Sequence, residues 1–105
     1  MVVGGIGLLG GYVVSPDTVE GITHRSQAEV WDTAVEIVSI MGVIQEKFEK
    51  EGLVVGKVNN TLIRVNIIPL SDSTVKIAVK ARRSFFPKIK TAQDVYIKIV
   101  SQLSD

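Results

Sequence analysis

Residues 61–81 read TLIRVNIIPLSDSTVKIAVKA, and their alternation decides the fold. From Thr61 to Pro69, Ile63, Val65 and Ile67 fall on one side while Arg64 and Asn66 fall on the other. From Thr74 to Ala81, Val75, Ile77 and Val79 alternate with Lys76 and Lys80 in the same way. A period of two with this polarity marks strands that have one buried and one wet face. Ser71-Asp72-Ser73 between them is a turn of residues that bond their own backbone.

The same logic extends outward. Leu53 to Val58 is a strand, and Asn59-Asn60 suits a two-residue hairpin because Asn tolerates positive φ. Val43 to Lys50 is a further strand, closed by the turn Glu51-Gly52, and its Glu46, Glu49 and Glu51 lie amid lysines as on a solvated edge. Upstream, Ser26-Gln27-Ala28-Glu29 has the spacing of a capping box. It opens a helix with Val30, Ala34, Ile37, Val38 and Met41 on one stripe, widened by Trp31 and Val35, and Gly42 stands where a left-handed cap would end it. Thr18 to Arg25 is a short β-prone run. At the other end, Ala92, Val95, Tyr96, Ile99, Val100 and Leu103 form the stripe of a last helix, which starts near Lys88 or after Thr91.

The predicted order is β-α-β-β-β-β-α. Short connections favour an antiparallel meander, and both amphipathic helices must bury their stripes on one sheet face. The fold class is therefore α+β: a two-layer sandwich of a four- to five-stranded antiparallel sheet with two helices on one face. The order is similar to the helix-grip arrangement, a likeness of fold that carries no function.

Composition bounds the rest. A chain of 105 residues, 46% hydrophobic and 22% charged, is one ordinary globular domain. With no cysteine there is no disulfide, thiolate ligand or thiol nucleophile, and one histidine cannot make a multi-His metal centre. No metal site and no cofactor is expected. Residues 1–16 read as an apolar, glycine-rich leader or tether and 17–105 as the domain. The leader contains Gly5-Ile6-Gly7-Leu8-Leu9-Gly10, but a dinucleotide site needs that motif between a strand and a helix, and Ser15-Pro16 follows where the helix would run. At 14 residues the uncharged stretch is shorter than the roughly 20 needed to span a bilayer.

Several stretches taken together resemble a known family. VVGGIGLLGGY precedes a short strand, SQAEVWDTAVEIVSIMG is a helix with an early Trp and a terminal Gly, and IIPLSDSTVKIAV joins two alternating strands. The chain in these respects resembles a family of small bacterial lipoproteins known as a domain of unknown function. Val30-Trp31 and Pro69-Leu70-Ser71-Asp72 are the sharpest parts of the likeness, which covers most of residues 1–103. The strand and helix order is also similar, at fold level, to repeated domains of a lipoprotein of the outer-membrane β-barrel assembly machinery. The resemblance implies an exported protein, periplasmic or tethered by a lipid on a cysteine upstream of the given sequence, with no assigned reaction and no catalytic residues. Two departures stand out: the lipobox cysteine is missing, and ARRSFFPKIK (81–90) is more basic and aromatic than the family pattern.

That stretch is the candidate binding site. Residues 1–51 hold eight acids and three bases, whereas 52–105 hold nine bases and three acids. Between Lys76 and Lys90 there are six bases and no acid. Arg82, Arg83, Phe85, Phe86, Lys88 and Lys90 together suit an anionic membrane surface or an acidic patch on an envelope protein. One Phe is expected to close the end of the core and its neighbour, pointing the other way, to be exposed. Export argues against nucleic acid as the partner. An exposed edge strand offers a second copy something to pair with, without fixing an oligomeric state. The leading expectation is a non-enzymatic envelope interaction domain with no catalytic residue. The alternatives are a small-molecule binder in the helix–sheet groove near Trp31, and a small enzyme centred on His24 with Glu20 on the same strand face.

Overall fold

The computed structural model describes residues 12–103. In chain order the elements are β1 (Tyr12–Val14), β2 (Thr18–Thr23), α1 (Gln27–Met41), β3 (Val43–Phe48), β4 (Leu53–Val58), β5 (Thr61–Ser71), β6 (Thr74–Arg83), β7 (Phe86–Pro87) and α2 (Ile89–Leu103). Residues 1–11, with the G-x-G-x-x-G motif, lie outside the described residues.

The α+β class and the antiparallel sheet agree with the sequence, but the sheet has seven strands rather than four or five. The two extra strands are β1 and β7. Both are too short, at three and two residues, to show a period in the sequence. β1 falls within the stretch read as a leader and pairs with β2, Tyr12 opposite Gly21 and Val14 opposite Val19. The order across the sheet is β1-β2-β6-β5-β4-β3, with β7 paired to the end of β6. The meander thus runs from β3 to β6, and the β1–β2 hairpin docks against β6 at the far side. To join β2 to β3 the chain must cross four interstrand gaps, about 19 Å. Helix α1, with 15 residues, is about 22 Å long and makes that crossing on the core face.

Cross-strand rows on that face form the floor of the core: Val14, Val19, Val79, Val65 and Val54 in one, Ala81, Ile63 and Gly56 in another. Above them lie Val30, Ala34, Ile37 and Val38 of α1, and Ala92, Val95, Tyr96, Ile99, Val100 and Leu103 of α2. A Cβ on Gly56 would stand 2.7 Å from Val38 Cγ1, so the missing side chain lets α1 seat on β4.

Local signals held in most places. Ser26 Oγ accepts from the Glu29 N–H, and the Glu29 carboxylate accepts from the Ser26 N–H, which completes the capping box. Asn59 and Asn60 have φ of 51° and 64°, the pair of positive values that a tight hairpin turn of the right hand requires. α2 starts at Ile89, the earlier of the two expected positions. Gly42 is different. Its φ of −167° is extended rather than left-handed. Glycine is needed there because a Cβ would run into the backbone carbonyl of Lys57 on β4.

The aromatic part of the core also differs from expectation. Neither Phe85 nor Phe86 closes it. Tyr12 lies opposite the bare Gly21 and its ring meets Tyr96 at 5.0 Å and 52°, a tilted pair, while Trp31 is buried near the start of α1. Burial, with the neighbouring Tyr12 adding to it, pushes the Tyr96 hydroxyl up to about 12. The unfolded chain ionises near 10, so over that interval the unfolded state loses a proton that the folded state keeps. This contribution to stability is complete below 10 and is lost as the pH rises towards 12. Tyr96→Phe is expected to remove this part of the alkaline fall in stability. Urea midpoints measured from neutral to alkaline pH check it, and equal falls in parent and variant would contradict it.

Candidate functional site

Both helices lie on one face, so no helix covers the other, where Val55, opposite Arg64, is nonetheless buried. Cross-strand register places Leu62 opposite Arg82, Arg64 opposite Lys80 and Ile68 opposite Lys76 on that open face. Leu62, Arg64, Lys80, Arg82 and Ser84 line a shallow groove of about 310 Å³ there. Arg64 and Lys80 are like charges directly opposite each other, an arrangement that disfavours the fold unless a counter-charge is present.

Part of that counter-charge is Asp17, from the turn between β1 and β2. Its Oδ2 accepts from Arg82 Nε at 2.7 Å and lies 3.8 Å from Lys80 Nζ. Thr18 Oγ1 donates to Oδ1 at 2.8 Å. The Thr18 hydroxyl above all, with Arg82 and Lys80 behind it, holds the Asp17 carboxyl below the usual carboxylate range. The backbone reinforces the contact, with the Ala81 N–H donating to the Asp17 carbonyl at 3.0 Å.

Arg82 and Arg83 point to opposite faces and are structural as well as cationic. Arg82 Nη1 donates to the Phe85 carbonyl at 3.0 Å, and Arg83 Nη2 donates to the Asn59 carbonyl at 2.9 Å. Together they brace a two-residue turn, Ser84-Phe85, between β6 and β7, in which Ser84 has a φ of 56°. The brace holds two large rings in water: Phe85 is 88% exposed and Phe86 69%. The expectation that one Phe would be buried fails because Arg83 and Phe86 pair at the very end of β6, beyond the reach of β2, which stops opposite Lys80. Lys88 is partly exposed just before α2, and Lys90 is exposed in its first turn.

Four of the six residues singled out from sequence, Arg82, Arg83, Phe85 and Phe86, form or flank this turn, and Lys88 and Lys90 follow it in the chain. Arg64 and Lys80 join Arg82 on the open face, and Asp17 joins from the turn that leads into the neighbouring strand β2. Their separation along the chain hid them, because only the strand register makes them neighbours.

The other candidates fare differently. The strand ends at Thr23, so His24 lies in a bend, exposed, and shares no strand face with Glu20. Glu20 pairs instead with Lys76 at 3.5 Å. Beside Trp31 there is an open recess of about 360 Å³, lined also by Gln27, Ala28, Glu49 and Lys50. The indole is only 8% exposed, which leaves it little face on which a ligand could stack. Among the described residues no group of three or more His, Cys, Asp or Glu could hold a metal, and no helix is long and apolar enough to cross a membrane. No family model matches the chain, and no curated protein does.

Asp17→Asn is expected to destabilise the protein by about 1 kcal/mol at neutral pH, the size of a charge-assisted contact of this exposure. A depressed folded pKa contributes stability above the ordinary value of 3.8 that is lost as the pH falls through the folded value. The gap between parent and variant should accordingly close in acid. Denaturation curves at neutral and acid pH test this, and a gap that is independent of pH would contradict it.

Proposed function

We propose that this domain acts by contact rather than by catalysis, docking on an anionic membrane surface through the β6–β7 turn. The observation that carries this reading is the pair of adjacent rings, Phe85 and Phe86, exposed at and just after a braced turn, with Arg82 and Arg83 before them and Lys88 and Lys90 after them in the chain. A soluble fold gains nothing from two neighbouring exposed phenylalanines, and such patches mark contact sites. A membrane interface suits both halves: rings enter the acyl boundary and cations stay among the headgroups.

The magnitudes suit a reversible attachment. Partial burial of two rings gives roughly 3 kcal/mol, and cations near an anionic surface add about 1 kcal/mol each. Part of the cationic share is already spent on Asp17 and Asn59. A total of about 6 kcal/mol is an affinity of tens of micromolar. An association of that strength benefits from a second anchor, and an exported, periplasmic protein tethered by an amino-terminal lipid, as in the lipoprotein family the chain resembles, supplies one.

Co-sedimentation with phosphatidylglycerol and phosphatidylcholine vesicles tests the proposal. Binding is expected to the anionic vesicles, to weaken with salt, and to drop at least tenfold in the double variant Phe85→Ser/Phe86→Ser, whose melting temperature should stay near that of the parent because both rings are exposed. Equal binding to both vesicle types, unchanged binding by the double variant, or capture of a single-stranded oligonucleotide in preference to vesicles would overturn it.

A further inference from the structure

The groove on the open sheet face has a feature that docking by the turn does not use. Arg64 makes no ion pair among the described residues, although it stands directly opposite Lys80 and beside Arg82 in the lining of the groove. Asp17 engages Arg82 closely and Lys80 at the limit of an ion pair, and it leaves Arg64 uncompensated. Three cations and one carboxylate leave a local net charge of +2. A cross-strand like-charge pair of this kind works against the fold, so its presence in a concave site points to a ligand that supplies the missing charge.

We propose that this groove is a binding site for one phosphate group. A phosphate monoester carries about −1.5 to −2 at neutral pH, which matches the excess. Arg64 offers a planar fork that can take two phosphate oxygens, Lys80 a mobile point charge, and Ser84 a hydroxyl donor at the rim. Leu62, opposite Arg82 and two residues before Arg64, lines the same groove and gives an apolar surface to a short hydrocarbon substituent of the ester. The groove holds about 310 Å³, enough for a phosphate with a small organic group. The phosphate can come from a soluble monoester or from the headgroup of phosphatidic acid, and the chemistry of recognition is the same for both.

The site and the membrane reading can fail separately, since one rests on Arg64 and the other on Phe85 and Phe86. Amide NMR spectra of the full chain are recorded during titration with inorganic phosphate and with butyl phosphate at constant ionic strength. Saturable shifts are expected at residues 62, 64, 80, 82 and 84, with butyl phosphate the tighter of the two. Arg64→Gln should weaken binding at least tenfold while the free protein keeps or raises its melting temperature. Lys98→Gln, on the exposed side of α2, should change nothing. A second measurement compares phosphatidic acid with phosphatidylglycerol vesicles of equal charge. A preference for phosphatidic acid that is lost in Arg64→Gln assigns the lipid headgroup as the source, and saturation by butyl phosphate with no preference between the two vesicle types assigns the soluble ester. Shifts that do not saturate and spread over all surface lysines, together with vesicle binding indifferent to Arg64, would overturn the site even if the Phe-dependent docking holds.

Discussion

One constraint governs the molecule: all of its helix cover goes to a single face of the sheet. The buried rows of Val and Ile on β5 and β6 can be dried from one side only, by α1 across β3 to β5 and α2 across β6 and β2. Each of these side chains contributes roughly 1.5–3 kcal/mol on full burial, so the face that carries them fixes which way the sheet is turned. A one-residue slip in register would exchange Ile63, Val65 and Ile67 for Leu62, Arg64 and Asn66 and bury a guanidinium without a partner. The opposite face must then meet water, or a ligand, across nearly the whole sheet.

That helix-free face explains why the basic residues cluster where they do. Arg64, Lys76, Lys80 and Arg82 occupy the alternate positions of β5 and β6 that the core leaves over, so register stacks Arg64, Lys80 and Arg82 next to one another. Asp17 partly offsets them and ties the β1–β2 turn to the end of β6. The same Arg82 reaches on to the Phe85 carbonyl, so the groove and the aromatic turn share a side chain. Two surfaces of different chemistry, one cationic and concave and one apolar and convex, are thereby held in fixed relation.

Much of this was legible from local sequence. The alternation in β5 and β6, the capping box at Ser26 and Glu29, and the twin asparagines of the β4–β5 turn all act through near neighbours, and each appears in the structure as its chemistry requires. β1 was not legible, because Tyr12–Val14 is a strand by virtue of its pairing with β2 and of the Tyr12 contact with Tyr96, 84 residues away. Gly42 had the right place and the wrong reason, since the demand comes from the Lys57 backbone on another strand. In the candidate site the basic run from Lys76 to Lys90 could be read directly. Its partners Asp17 and Arg64 could not, because register and the order of strands bring them in. The exposure of both phenylalanines likewise depends on where β2 stops.

The most direct test of the account is a map of which surface meets the lipid. Amide spectra recorded with anionic vesicles carrying a spin-labelled lipid should show broadening concentrated at residues 83–88 and extending along the open face through residues 62, 64, 80 and 82, with the solvent side of both helices spared. Broadening centred on the exposed side of α1 or α2, or none above that seen with neutral vesicles, would contradict the assignment of the helix-free face and its aromatic turn as the working surface of the protein.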